Sequence, residues 1–114
     1  MAYVIVKNDL QDDSFLDAYT IGFNRFKDYL LGKEDGIEKT PDWAESITGV
    51  SSKVIENIAI EYGTVKPAAL VPSFVPGRTA YGEQFHRAGA TLAAMTGNIG
   101  IPGGSPACCD IPPC

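Results

Sequence analysis

The spacing of apolar and polar positions along the chain predicts five helices and one strand. Phe15, Leu16 and Tyr19 fall on one side of a short helix over Asp13–Tyr19. Phe23, Phe26, Tyr29 and Leu30 recur at helical spacing over Phe23–Leu31, and Gly32 follows as a stop. A polar loop from Gly32 to Lys39 leads to Thr40, which caps a third helix with Pro41 at its first position and Asp42 beside it. That helix ends near Gly49. The fourth starts at Ser51 or Ser52 and stops at Gly63; it puts Val54, Ile55, Ile58, Ala59 and Tyr62 on one face, with Lys53, Glu56, Asn57 and Glu61 elsewhere. The fifth, Glu83 to Thr96, is rich in small residues, Ala88, Gly89, Ala90, Ala93 and Ala94. Trp43, Phe15, Phe23, Phe26 and Tyr29 are expected in the core.

Between the fourth and fifth helices lies the apolar run AALVPSFV, Ala68 to Val75, which reads as a buried strand. The opening run, Ala2 to Asn8, is apolar and β-branched, and its period fits helix or strand. Helix, strand, glycine-bearing loop, helix is the order of an α/β layer. A lone strand leaves its backbone groups without a ladder. The expectation is therefore a helix-rich partial α/β layer, a fragment of a larger Rossmann-like domain over residues 1–104. Its missing strands would come from a longer polypeptide or a second copy. Residues 105–114 form an irregular tail of cysteine and proline.

Composition narrows the functional classes. Hydrophobic residues make up 45% of the 114, enough for a core. No run reaches the roughly 18 apolar residues of a membrane span. The start has no basic segment before its apolar run, so a signal peptide is not expected. The net charge is −5 and the nine basic residues are scattered, which disfavours nucleic-acid binding. Three cysteines, Cys108, Cys109 and Cys114, all lie in the tail. An odd number confined to one end does not make a disulfide framework, and their spacing lacks the paired C-x-x-C that surrounds zinc or iron–sulfur clusters.

Candidate chemistry concentrates in FVPGRTAYGEQFHR, Phe74 to Arg87, just beyond the carboxyl end of the predicted strand. Ligands of open α/β sheets bind in that position. Gly77 and Gly82 permit close backbone approach. Arg78 offers a fork of donors for phosphate or a planar heterocycle. The amino end of the following helix adds N–H groups and a positive dipole. Glu83 fits that helix start as a favourable charge. The lone His86 reads as a packing or surface residue. No nucleophile elbow, catalytic triad or His-Glu-x-x-His motif appears, so no catalytic residue is assigned.

Five elements in order carry a resemblance: W-A-E-x-I-T-G-V from Trp43, a helix ending in Glu61-Tyr62, K-P-A-A-L from Lys66, R-x-x-x-G-E-Q from Arg78, and L-x-A-M-T-G-N-I-G-I-P-G-G from Leu92. Together they resemble the molybdopterin oxidoreductases of the dimethyl sulfoxide reductase superfamily. The resemblance extends from Ala2 to Gly104 and leaves the cysteine tail outside. It implies that this chain is an internal fragment of a catalytic subunit. Such a subunit encloses a molybdenum or tungsten ion between two pterin guanine dinucleotides (bis-molybdopterin guanine dinucleotide). It acts on sulfoxides, N-oxides, polysulfide, thiosulfate and similar small substrates.

The resemblance further implies an iron–sulfur cluster elsewhere in the parent and an iron–sulfur electron-transfer subunit as partner, with no nucleic acid and no direct membrane insertion. Family members are periplasmic, membrane-associated or cytoplasmic. The residues implied at the cofactor are Phe74, Pro76, Gly77, Arg78, Gly82, Glu83 and Gln84. The usual loop is close to G-W-G-P-Q-R; here Phe74 replaces tryptophan and Gly77 replaces glutamine. The Thr96–Gly104 close is expected to turn the chain back toward the cofactor. No metal ligand is identified, and the isolated chain is expected to bind no cofactor and to be inactive. The rival expectation is a non-catalytic α/β remnant or subunit-interaction module without cofactor.

Overall fold

The computed structural model describes residues 1–73 and 75–105. Phe74 and the predicted tail lie outside these residues, apart from Ser105. Six α-helices form: α1 (Ala2–Lys7), α2 (Asp13–Tyr19), α3 (Phe23–Leu30), α4 (Pro41–Thr48), α5 (Ser52–Thr64) and α6 (Glu83–Met95), with a 3-10 turn at Pro76–Arg78. None of the described helices is long and apolar enough to cross a membrane.

The open question at the amino terminus resolves as helix. Val4, Ile5 and Val6 are consecutive and all buried, so α1 is covered on more than one side. It packs on α3 and α5. That burial overrides the poor helix propensity of β-branched residues. Ile5 and Val6 join Leu30 of α3, Tyr62 of α5 and Met95 of α6 in one core cluster, with Phe23, Phe26, Leu70 and Leu92 packed around it.

Several boundary signals operate as expected, but α5 continues through Gly63 to Thr64 and Ser51 caps it without a side-chain hydrogen bond. Thr40 accepts the Trp43 N–H at 3.1 Å and Pro41 opens α4. Gly49 closes α4 in the left-handed region, at φ 73°. Asp12 caps α2 by accepting the Phe15 N–H at 3.0 Å, and also accepts the Ser14 hydroxyl at 2.9 Å. Lys66 lies 3.7 Å from the same carboxylate. These contacts, the Phe15 N–H first, hold the Asp12 carboxyl below its ordinary value. The backbone N–H of Asp12 donates to the Met95 carbonyl at 2.8 Å, which ties the start of α2 to the end of α6.

Three expectations change. The AALVPSFV run forms no strand among the described residues. Residues 68–73 still alternate: Ala68, Leu70 and Pro72 face inward, while Ala69, Val71 and Ser73 are exposed. This is strand periodicity without a ladder, because no strand to pair with occurs among the described residues. On α5 only Ala59, Tyr62 and Gly63 are buried; Val54 and Ile58 of the predicted face stay 46% and 47% exposed. Trp43 and Tyr29 are also not core residues. Their rings flank the ammonium of Lys39, which is 5.4 Å and 4.6 Å from the two centroids. Lys39 is itself buried, pairs with Asp35 at 2.5 Å and donates to the Ile37 carbonyl at 2.7 Å. Two amphipathic rings and a long apolar stem thus close the 31–39 loop around a paired charge.

Candidate functional site

The extended run 68–73 delivers the chain to a tight corner at the start of α6. Pro76 fixes the first φ of the 3-10 turn. The Arg78 N–H donates to Val75 O at 3.1 Å, and the Pro76 carbonyl accepts both the N–H and the hydroxyl of Thr79, at 3.3 and 2.8 Å. The Gly82 N–H then donates to Thr79 O at 3.0 Å. Tyr81, exposed, sits at φ 59°, a left-handed conformation uncommon outside glycine and asparagine. Gly82 is buried, and a Cβ there would collide with the Pro76 carbonyl oxygen. Only glycine lets the turn close this tightly on α6.

Pro76, Gly77, Arg78, Gly82, Glu83 and Gln84 therefore come together as one corner, while Phe74 lies outside the described residues. Arg78, Glu83 and Gln84 are all exposed. Arg78 makes no ion pair among the described residues. One expected component is reduced. The Gln84 and Phe85 N–H groups of the helix start are taken by the Tyr81 and Gly82 carbonyls, both at 3.1 Å. The helix contributes its dipole more than its donors, and Arg78 is left as the chief donor. No group of three or more metal-ligating side chains occurs among the described residues.

Two further residues of the Phe74 to Arg87 segment, neither assigned to the cofactor by sequence, border the corner. Arg87 lies one turn beyond Gln84 on α6; both line an open groove of about 470 Å³ with Phe26, Tyr29 and Thr91. The i, i+3 spacing on a predicted helix was signal enough to join them. His86 is the other. Its ring lies against Gly77, its Nδ1 is buried without a hydrogen-bond partner, and Phe85 meets it edge-on at 5.3 Å.

The Thr96–Gly104 close packs against the 68–70 run. Thr96 and Asn98 are fully buried. Asn98 Oδ1 accepts the Ala68 N–H at 3.0 Å, and Asn98 Nδ2 donates to Thr96 Oγ1 at 2.7 Å. Gly104 lies so close to the Asn98 carbonyl that a Cβ would overlap it. Ser105 Oγ donates to Leu70 O at 3.1 Å. The segment is a latch that holds the 68–70 backbone, and through it the corner.

Comparison with known proteins gives no matching family model. Individual relatives, however, align along nearly the whole chain. Dimethyl sulfoxide reductase DmsA of Escherichia coli K12 is 41% identical over 92% of this chain. Trimethylamine-N-oxide reductase of Haemophilus influenzae and dimethyl sulfoxide/trimethylamine N-oxide reductase of Rhodobacter capsulatus are each 40% identical over 91%. The chain belongs to the molybdopterin-dependent dimethyl sulfoxide reductase family. It spans only 14% of the length of the first relative and 12% of the other two, so it corresponds to a segment of these reductases. At 91–92% coverage of this chain, the corner at 76–84 lies inside the segment shared with these reductases.

Proposed function

We propose that this chain is a segment of a catalytic subunit that reduces sulfoxides or N-oxides at a molybdenum or tungsten bis-pterin guanine dinucleotide, and that its 76–84 corner lines the cofactor. The observation that carries this reading is the corner itself: an exposed Arg78, without an ion pair among the described residues, on a glycine-floored turn at the start of a 13-residue helix. Relatives named for dimethyl sulfoxide and trimethylamine N-oxide reduction support the substrate class.

The residues fit an edge of the cofactor and not its metal. Arg78 supplies forked donors for ring oxygen and nitrogen or for phosphate. The Glu83 carboxylate accepts from amino and ring N–H groups of a pterin or guanine, and would repel a phosphate placed beside it. An exposed arginine and an exposed carboxylate on the same corner therefore suit a heterocycle with mixed donors and acceptors. When bound, the cofactor supplies the oxygen-atom and electron chemistry. The chain's own part is to present Arg78, Glu83 and Gln84 on a rigid turn. The iron–sulfur cluster and electron-transfer subunit belong to the same proposal for the parent.

The α/β parent fold is proposed too. The alternation of residues 68–73 supports it, since an extended run with one face toward the core has the geometry to take a neighbouring strand along an edge. The exposed Val54 and Ile58 support further cover from the rest of the subunit.

The test is a chimera of the Escherichia coli reductase carrying residues 40–104 of this chain in the matching stretch. R78A should weaken cofactor retention about 10- to 100-fold, the range of a lost charge-assisted hydrogen bond, read as molybdenum per polypeptide after dialysis. Unchanged molybdenum content and unchanged sulfoxide reduction in R78A would move the corner away from the cofactor and favour a purely structural or subunit-contact role.

A further inference from the structure

The space a side chain would use at position 77 is already taken. A Cβ on Gly77 would stand 2.6 Å from His86 Nε2 and 3.1 Å from His86 Cδ2. The imidazole comes from the first turn of α6 and reaches back onto the middle residue of the Pro76–Arg78 turn. Phe85 packs edge-on against the ring, with planes at 76°. His86 Nδ1 is buried without a hydrogen-bond partner, which opposes folding and calls for a compensating role. Steric seating of the turn is such a role, because Gly77 lies next to Arg78.

We propose that His86 is the positioning residue for Arg78: its imidazole fills the place of a side chain at position 77 and seats the turn against α6. The functional half of this statement rests on the corner lining the cofactor; the structural half does not. His86 touches the turn and acts through Arg78.

Amide hydrogen exchange on the 114-residue chain tests it. The reporters are the N–H groups of Arg78, Thr79 and Gly82, which make the hydrogen bonds of the corner. H86A should speed their exchange about tenfold while the α5 amides of Ala59 and Tyr62 stay unchanged, as expected for local and not global opening. G77Q should do the same, because the new side chain displaces the ring. The double variant G77Q/H86A should return to within about threefold of the starting chain, since the glutamine then occupies the vacated space. Additive effects in the double variant would overturn the proposal. So would unchanged corner amides in H86A, or equal acceleration in α5. In the chimeric reductase, H86A should lower bound molybdenum and G77Q/H86A should restore it. If R78A leaves molybdenum unchanged there, the cofactor reading fails while the exchange result still decides the role of His86.

Discussion

Replacing Asn98 with alanine should unfasten the corner from a distance. Asn98 is fully buried and joins two segments, accepting from Ala68 N–H and donating to Thr96 Oγ1. Thr96 Oγ1 keeps its own donation to the Leu92 carbonyl at 3.1 Å, so losing the amide costs it little. The Ala68 N–H has no such alternative. Leaving a buried donor unmet costs about 1–3 kcal/mol. The emptied volume adds a further cost, so the total is about 2–4 kcal/mol. For a domain of this size each kcal/mol moves Tm by about 4–8 °C. The 114-residue chain carrying N98A should therefore melt about 10 °C or more below the parent by circular dichroism. Asn98→Asp keeps the acceptor for Ala68 but loses a donor and buries a charge; it should be destabilised at neutral pH and recover on mild acidification. A shift under about 1 °C in N98A would mean that the latch contributes almost nothing, and would refute the reasoning.

Other expectations follow from the same geometry. Gly82→Ala must push the Pro76 carbonyl aside and should cost about 1–3 kcal/mol in urea titration, whereas Arg78→Ala should change stability by less than about 0.5 kcal/mol. Because the folded Asp12 carboxyl is depressed, its contribution is complete above the ordinary aspartate value near about 4 and is lost as pH falls through the lower folded value. Asp12→Asn keeps a capping oxygen, so it should flatten the acid limb of the stability curve with little loss at pH 7, while Asp12→Ala should cost about 1 kcal/mol at pH 7. Lys39→Ala should cost about 2 kcal/mol and alter Trp43 fluorescence, and Lys39→Met should regain part of that loss by refilling the space between the rings. Val71→Lys, on the outward side of the unpaired run, should reduce self-association in sedimentation velocity without lowering Tm.

Much of the helical framework was legible because it is written locally. Thr40 with Pro41, and the glycines at 32 and 49, mark ends within a few residues of the turns they control, whereas α5 runs through the expected stop at Gly63 to Thr64. Apolar spacing located α2 to α6, but not which apolar residues find a partner; Val54 and Ile58 satisfy the pattern and remain exposed. α1 was ambiguous because three β-branched residues favour strand until burial outweighs propensity. The 68–73 run shows the opposite limit: its period of two is real, yet a strand is a relation between segments. The corner that carries Arg78, Gly82 and Glu83 was readable as a turn because it joins near neighbours in sequence. His86 was not, since nothing in a single histidine reveals that its ring rests on a glycine nine positions earlier. Asn98 was hidden for a related reason. A polar residue among glycines reads as an exposed turn, and its burial depends on Ala68, 30 positions away.

The latch also sets a schedule for the chain during synthesis. Asn98 and Ser105 follow the backbone groups they bind by 30 and 35 residues. The run that carries the corner thus leaves the ribosome well before the residues that hold it. Contacts with such separations form after local helices, because the intervening loop must close first. α2 and α4 have their capping residues, Asp12 and Thr40, beside them and can form as they emerge. The corner must wait for α6 and the glycine segment behind it. A pause or truncation before Ser105 would leave these helices in place with the 68–73 backbone open, the state in which such an edge is most exposed to pairing with the wrong chain.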